Sequence, residues 1–298
     1  MAHYAITGGS GRIGRAIHRL LTERHTVTGL DRSPSSAVSV IADLLNDDAL
    51  LEAFDGAEAV FHTAALHAPH VGVAPDEEFH RINVEGTERA IRAAQQAGVK
   101  TFVFTSTTAL YGRASQEEGR AAWITEETPP QPRTIYHRTK IEAETIARES
   151  ANRDFRVRVI RMSRCFPEPA PLMAAYRLHR GVDARDVAAA HVAALGGDGP
   201  SFTVYNISGS APFERVDCEE LKADAPSVIR RRMPELAALF EQRGWPLPAS
   251  IDRVYDSAKA HDALNWTPAY DFREVVRQLD RRSSEVLPPN AAAPQTPE

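Results

Sequence analysis

Residues 4–31 read YAITGGSGRIGRAIHRLLTERHTVTGLD: an apolar β-rich run, a glycine-rich turn, a helical pattern and a second apolar run that ends in an acid. Gly9, Gly11 and Gly14 fit the spacing G-x-G-x-x-G between the first strand and the helix. Glycines there permit a tight turn, close approach of the backbone to a pyrophosphate, and close contact between helix and strand. The N-terminus of the helix adds free N–H groups and a positive dipole. The stretch therefore predicts a dinucleotide-binding βαβ unit.

The second strand of this unit is predicted to end at Asp31, where a carboxylate accepts hydrogen bonds from the adenosine ribose hydroxyls. Its charge repels a 2′-phosphate and so favours NAD, although the adjacent Arg32 is placed to face such a phosphate and admit NADP. Asp43, after a short predicted strand at residues 38–42, either hydrogen-bonds the adenine or is a helix N-terminal acid.

Similar apolar runs recur along the chain and alternate with stretches of helical period, such as residues 12–23 and 84–97. The predicted strands are residues 4–7, 26–30, 59–63, 101–106 and 157–160. This alternation is typical of a parallel sheet covered by helices. We therefore predict an α/β fold: a Rossmann-like, doubly wound parallel sheet with a small, mostly helical C-terminal substrate lobe.

The alternation breaks after Arg161, in a Pro-rich segment, and the end of the chain from Leu287 is rich in Pro and Ala without a period. The predicted division is residues 1–161 with about 181–208 for the NAD-binding domain, 162–180 with 209–286 for the substrate lobe, and 287–298 for a disordered tail.

The composition excludes several classes of protein. The 35 Lys and Arg against 40 Asp and Glu leave a formal net charge of −5, which provides no basic field for nucleic acid or an anionic membrane. Cys165 and Cys218 lie far apart without metal-ligand spacing, which fits a reducing compartment. Met1 leads directly into an apolar strand, with no leader pattern. We expect a cytoplasmic protein without nucleic-acid or membrane partners.

Tyr136 and Lys140 lie four residues apart in YHRTK, which places both side chains on one face of a helix. For a tyrosine to act as a base near neutrality its pKa must fall from about 10 to about 7, or roughly 4 kcal/mol, which a nearby ammonium and a positive cofactor ring can supply. Upstream, FVFTSTTALYG ends a strand in hydroxyl residues at the sheet edge where ligands bind. This combination favours a proton-transfer site over an exposed helix pair.

The chain resembles the extended short-chain dehydrogenase/reductase family, the NAD-dependent epimerase/dehydratase group, over nearly its whole length. The resemblance lies in TGGSGRIG, FHTAAL, PDEEFHRINVEGT, FTSTTALYG, YHRTK, DARDVAAAHVAAL, YNISG and LNWTP. It implies NAD as the cofactor. The expected NAD-binding residues are Gly8, Gly9, Gly11, Arg12, Ile13, Gly14, Asp31, Arg32, Asp43, Leu44, Thr63, Ala64, Ala65, Asn83, Tyr136 and Lys140.

The resemblance also implies the catalytic residues. The family's catalytic Ser or Thr lies four residues before a Tyr-Gly pair, and here that residue is Thr107. By the same resemblance Tyr136 is the acid/base, and Lys140 tunes it while binding the nicotinamide ribose. The implied reaction is hydride transfer between a substrate carbinol carbon and the nicotinamide.

Departures from the family pattern narrow the substrate. Thr108 and Ala109 stand where dehydratases of the family carry Asp-Glu, so dehydration is disfavoured. Nucleotide-sugar epimerases usually carry Asn where Arg164 stands, followed by a long nucleotide-holding segment that is short here. Instead, RMSRCFPEPAPLMAAYRLHRG resembles the S-x-C-x-P-E-P segment of uronate dehydrogenases, which grip a sugar acid with an Arg. Arg177 matches that Arg best, and Arg180 is a further anion-binding candidate.

The expected substrate-binding residues are His67, Ser106, Thr107, Thr108, Arg164 and Arg177. Arg164 is alternatively an ion-paired surface residue. We expect no metal, because His67, His70 and His80 lack a recognisable ligand spacing.

The sequence therefore predicts an NAD-dependent dehydrogenase of a small polar or anionic sugar, sugar acid or related secondary alcohol. One alternative is a sugar or nucleotide-sugar epimerase that retains its NAD, and another is a non-catalytic NAD-sensing or scaffold protein. A homodimer through the YHRTK helix is expected, since Ile141, Ala143 and Ile146 offer apolar surface there.

Overall fold

The computed structural model describes residues 1–196 and 199–292. Its strands are β1 (His3–Thr7), β2 (Thr26–Asp31), β3 (Val40–Ile41), β4 (Ala59–His62), β5 (Thr101–Thr107), β6 (Ala122–Ile124), β7 (Arg156–Met162), β8 (Phe202–Ile207) and β9 (Arg253–Tyr255). Its helices are α1 (Arg12–Leu21), α2 (Asp47–Phe54), α3 (Asp76–His80), α4 (Gly86–Gln96), α5 (Ile135–Ser150), α6 (Ala170–Tyr176), α7 (Ala184–Ala193), α8 (Cys218–Arg232), α9 (Pro234–Arg243), α10 (Ala258–Leu264) and α11 (Phe272–Asp280). Within the described ranges, no helix has the length and apolar composition needed to cross a bilayer.

Most of these strands form one seven-stranded parallel sheet in the order β3-β2-β1-β4-β5-β7-β8. Thr7, at the end of β1, pairs with Leu30 of β2 on one side and with His62 of β4 on the other. The strand order therefore reverses between β1 and β4, and open α/β sheets form their ligand crevice outside the carboxyl ends at such a point. The predicted Rossmann-like sheet is confirmed.

Helices cover both faces of the sheet. Successive side chains of a strand point to opposite faces, and in the central strands both sets are apolar and need cover. In β5, Phe102 and Phe104 pack in an apolar cluster with α2, α4 and α5, whereas Val103 packs in a second cluster with α1 and α7. Ala143 of α5 is fully buried in the first cluster, since it faces the sheet. It does not lie on an exposed face, so the expected dimer surface on α5 loses one of its three residues.

The C-terminal helices build a third apolar cluster. Met173 of α6, Leu221 of α8, Phe240 of α9 and Phe272 of α11 belong to it. This separate core supports the proposed substrate lobe, whose boundaries we keep as a proposal.

The predicted tail begins too early in the chain. The Leu287 N–H donates to the Glu168 carbonyl at 2.9 Å, and its own carbonyl accepts from the Ala170 N–H at 3.1 Å. The preceding Val286 is buried in the lobe core. Pairing with a segment more than a hundred positions away leaves no local signal in the sequence, so the ordered position of Leu287 cannot be predicted from it. Residues 293–298 of that prediction lie outside the described residues.

Candidate active site

A cleft of about 350 Å³ opens at the carboxyl edge of the sheet. Most predicted site residues line it: Gly8, Gly11, Arg12, Ile13, Asp31, Arg32, Asp43, Leu44, Thr63, Ala64, Ala65, His67, Ser106, Thr107, Thr108, Tyr136, Lys140 and Arg164. In the described part of the chain, four predicted residues do not line it, namely Gly9, Gly14, Asn83 and Arg177. The fold thus brings the glycine loop, the strand ends and the YHRTK helix to one cavity.

The glycine loop is closely packed between β1 and α1. Gly8 has a φ of 74°, and a Cβ there would lie 2.6 Å from the Ala64 nitrogen. A Cβ on Gly14 would lie 2.2 Å from the Gly8 carbonyl oxygen. Gly14 therefore serves helix-to-loop packing, not direct contact with a ligand, and Gly9 packs likewise against Ala37.

The N-terminus of α1 faces the cleft through Arg12 and Ile13, and no side chain caps it at Gly11. The first N–H groups of a helix lack partners within it, and they attract anions. This end of α1 fits the pyrophosphate of a dinucleotide.

Asp31 is held in a fixed orientation at the end of β2. One carboxylate oxygen accepts from the Ser10 N–H at 3.0 Å and the other from the Ser33 N–H at 2.9 Å. Asp43 lies further along the same wall, accepts from the Leu45 N–H at 2.9 Å and approaches Arg81 at 3.9 Å. Both acids line the cleft, and Asp31 is placed as a ribose-binding carboxylate.

Asn83 supports the cleft from behind. It lies in a π-helical turn, Arg81–Glu85, and is 1% exposed. Its side chain accepts from the Leu66 N–H at 2.7 Å, and donates to the Leu66 carbonyl at 2.9 Å and to Thr139 at 3.1 Å. The expectation that Asn83 contacts NAD directly is wrong here, because these bonds use its amide to hold the loop after β4.

Tyr136, Thr107 and Lys140 meet at the end of β5. Thr107 hydrogen-bonds the Tyr136 hydroxyl, and burial raises the pKa of Tyr136 to about 12 against the effect of that bond. The Lys140 ammonium donates to the Thr105 carbonyl at 2.7 Å and lies 4.0 Å from the centre of the Phe104 ring. Burial lowers the pKa of Lys140 to about 7, and Glu144 opposes this. The phenol is protonated near neutrality, so acting as a base requires added positive charge beside it.

Ser106 uses its hydroxyl elsewhere. The hydroxyl donates to Glu144 Oε1 at 2.5 Å, on the opposite side of β5 from Thr107. Ser106 lines the cleft while its hydroxyl is bonded to Glu144, so its contact with substrate stays a prediction. Thr108 lines the cleft, and its hydroxyl lies 3.4 Å from the Met162 carbonyl.

The arginines divide between the cleft and the core. Arg164 lines the cleft and donates to Glu168 at 2.5 Å. Arg177 is 3% exposed and pairs with Asp183 at 3.2 Å. It follows α6 and points to the N-cap of α7 instead of the cavity, so its predicted grip on a substrate acid is wrong for this structure.

Other residues complete the substrate side. Arg180 lines the cleft, as do Arg133, Arg253 and Tyr255. No local pattern pointed to these last three. Arg253 and Tyr255 lie on β9, which pairs with β6 more than a hundred positions earlier in the chain.

His67 links the two sides of the cleft. Its ring stacks on Phe166 at 5.7 Å between centroids, and His70 packs edge-on against it at 4.6 Å. Burial, then His70 and Lys140, lower the pKa of His67 to about 4, so the ring is neutral near pH 7. The described residues contain no group of three His, Cys, Asp or Glu placed to hold a metal ion.

Comparisons with known proteins agree with this geometry. The model of the NAD dependent epimerase/dehydratase family matches residues 4–169. A 3-beta-hydroxysteroid dehydrogenase of Mycolicibacterium neoaurum is 36% identical over 116 residues, covering 35% of this chain and 32% of that protein. The L-arabinose 1-dehydrogenase (NAD(P)(+)) of Haloferax volcanii is 32% identical over 162 residues, covering 51% of this chain and 63% of that protein. The chain thus matches between about a third and two thirds of the length of these relatives.

A similar fold occurs in a solved structure. The short-chain dehydrogenase/reductase superfamily protein from Agrobacterium tumefaciens, crystallised with bound NAD, has a TM-score of 0.71 and 21% identity, covering 94% of this chain and 97% of that chain.

Proposed function

This chain belongs to the NAD-dependent epimerase/dehydratase family, and from that premise we propose that it is an NAD-dependent dehydrogenase of a small polar sugar or sugar acid. The observation that carries the proposal is the meeting of Thr107, Tyr136 and Lys140 in the same cleft as the glycine loop and Asp31.

The residues present fit NAD. The uncapped N-terminus of α1 and the loop at Gly8 would hold its pyrophosphate, and Asp31 its adenosine ribose. Lys140 would hold the ribose of the nicotinamide half. NAD, when bound, supplies the hydride acceptor and a positive ring.

The chain's own residues handle the proton. Tyr136 Oη removes the proton of the substrate hydroxyl, and Thr107 shares a hydrogen bond with the same oxygen. With NAD bound, the positive ring of the cofactor and the Lys140 ammonium on the same helix would together stabilise the Tyr136 phenolate against the effect of burial. Proton transfer by a positioned side chain contributes about 10² to 10⁴ in rate.

The substrate side of the cleft supports a polar or anionic sugar. Arg133, Arg164, Arg180 and Arg253 line it. Each guanidinium carries five N–H donors in a planar fork, which suits hydroxyls and carboxylates even where one edge already binds a protein acid. The relationship to an L-arabinose dehydrogenase points to the same class of substrate.

An epimerase that retains NAD is the second candidate. The stacked His67 and Phe166 lie across the cleft, a position that would hinder release of a cofactor during the reaction. A non-catalytic NAD sensor is less well supported, because Thr107, Tyr136 and Lys140 are all present in hydrogen-bonding positions. A homodimer and a cytoplasmic location stay predictions.

The test is a screen of the purified chain with NAD against aldoses, uronic acids and other acidic sugars. A dehydrogenase accumulates NADH, read by its absorbance, with at least one of them. An epimerase converts a sugar without net NADH. Tight NAD binding with no conversion of any substrate would overturn both readings in favour of the sensor.

A further inference from the structure

Glu144 is a buried acid one helical turn beyond Lys140 on α5, and it is 6% exposed. Its carboxylate accepts hydrogen bonds from three donor atoms: Ser106 Oγ at 2.5 Å, Arg161 Nε at 3.0 Å and Arg161 Nη2 at 2.6 Å. Arg161 Nη1 also donates to the Tyr111 hydroxyl at 3.0 Å. The Glu144 carboxylate is therefore fixed from both β5, through Ser106, and β7, through Arg161.

The strand residue that Glu144 holds lies between two residues of the reaction centre. Thr105, before Ser106, supplies the carbonyl that accepts from Lys140. Thr107, after it, hydrogen-bonds Tyr136. The hydrogen bond from Ser106 to Glu144, on the far side of β5, therefore fixes the backbone of Thr105 and Thr107.

Glu144 also acts on Lys140 through its charge. The titratable groups that interact electrostatically with the ammonium are Glu144 on α5, His62 on β4 and His67 on the following loop. Both rings are neutral near pH 7, since burial lowers the pKa of His62 to about 3 and of His67 to about 4. Arg161 balances Glu144 from β7. Glu144 is the negative group that opposes the effect of burial on Lys140.

We propose that Glu144 is a positioning residue for the reaction: together with Arg161 it holds the end of β5 through Ser106, and it places a carboxylate one helical turn from Lys140 on α5. This inference rests on the proposed function. The competing role is a plain structural ion pair, which would affect folding stability and nothing else.

The main variant is Glu144→Gln, which keeps the shape and removes the charge. We expect a folded protein whose kcat falls about tenfold or more and whose alkaline limb in the pH profile moves to lower pH, because Lys140 loses its proton earlier. Glu144→Asp retains the charge and should keep that limb near its wild-type position. Asp183→Asn is the matched control, since Asp183 is a buried acid paired to Arg177, and its pH profile should match the wild type.

Ser106→Ala removes the hydrogen bond to Glu144 but keeps the Glu144 charge, so it separates the two effects. It also tests the proposal if Glu144→Gln does not fold. It should lower kcat several-fold with little change in the KM of the substrate and no shift of the alkaline limb. A raised KM with unchanged kcat would instead show that Ser106 contacts the substrate, and would overturn the proposed positioning role of its bond to Glu144.

Competitive labelling of Lys140 with acetic anhydride, read by peptide mass spectrometry across pH, reports its protonation without any substrate. Glu144→Gln should show half-maximal labelling at lower pH than the wild type. Identical labelling curves in folded Glu144→Gln and wild type, with unchanged pH profiles, would overturn the proposal. If the wild-type chain converts no sugar, but Glu144→Gln is still labelled at lower pH than the wild type, the proposed function alone is refuted.

Discussion

In the proposed reaction, proton transfer depends on Tyr136, whose hydroxyl is hydrogen-bonded to Thr107 and which lines the cleft. Tyr136→Phe removes that hydroxyl and nothing else. We expect kcat to fall by about 10² to 10⁴, with NAD affinity changed no more than a few-fold. Steady-state rates and a fluorescence titration with NAD measure the two. Tyr4→Phe, far from the cleft at the start of β1, is the matched control and should behave as wild type.

We expect Asp31 to set the preference between NAD and NADP. Its carboxylate is fixed by the Ser10 and Ser33 N–H groups at the cleft wall, where a 2′-phosphate would meet it. Asp31→Asn keeps the acceptor geometry and removes the charge. We expect the ratio of Kd for NADP to Kd for NAD to fall by at least about tenfold, or 1.4 kcal/mol. Asp55→Asn, an exposed acid after α2, should leave that ratio unchanged, and an unchanged ratio in Asp31→Asn would contradict the role.

The approach of α1 to the glycine loop depends on the missing side chain at Gly14. A Cβ there would lie 2.2 Å from the Gly8 carbonyl oxygen, so Gly14→Ala must push the helix away from β1. We expect the free energy of unfolding to fall by about 1–3 kcal/mol and NAD affinity to weaken. Urea unfolding and titration with NAD check both.

The control for this variant is Gly196→Ala. The nearest atom to a Cβ at Gly196 is the Ala193 carbonyl oxygen at 3.5 Å, which is an ordinary contact. Its free energy of unfolding should stay within about 0.5 kcal/mol of the wild type. Equal losses in the two glycine variants would show that the packing of α1 is not the cause.

The segment after α11 reaches back to the cofactor end of the cleft. Glu285 forms an ion pair with Arg12 at the start of α1, while Val286 is anchored in the lobe core. A carboxylate beside the pyrophosphate position opposes binding of that anion. We expect Glu285→Gln to bind NAD about two- to tenfold more tightly, with the gain reduced at high salt. Asp280→Asn, which loses an exposed pair with Arg243, should not change the affinity.

Over the whole chain, the sequence predicts the features that are set by residues close together in sequence, and not those that depend on contacts between distant residues. The strands and helices follow from their own apolar periods, and Tyr136 and Lys140 meet because helix geometry fixes residues four apart. The bond between Ser106 and Glu144 could not be predicted, because the two residues lie 38 positions apart. Arg177 was misassigned because the direction of a side chain after α6 depends on the packing of α7.

Buried histidines couple the stability of the whole molecule to pH. His62 of β4 and His191 of α7 are 0% exposed, and burial lowers their pKa values to about 3 and about 4. Burial also lowers the pKa of His179. Each ring is neutral when folded, whereas in the unfolded chain it takes up a proton as the pH falls through about 6.5. Stability is therefore present above that pH and is lost progressively below it, until the folded rings also protonate.

At about pH 5, His62 and His191 should each lower the free energy of unfolding by about 2 kcal/mol, or 1.36 kcal/mol for each pH unit below 6.5. Burial raises the pKa of Asp186 to about 6, so the folded state takes up this proton more readily than the unfolded state. This offsets about 1 kcal/mol of the loss. Urea unfolding should thus show a net loss of several kcal/mol between about pH 7.5 and pH 5. In His191→Gln about 2 kcal/mol of that dependence should disappear, whereas His80→Gln, at an exposed position on α3, should retain all of it. Equal pH dependence in the two variants would mean that His191 is not a source of the acid sensitivity.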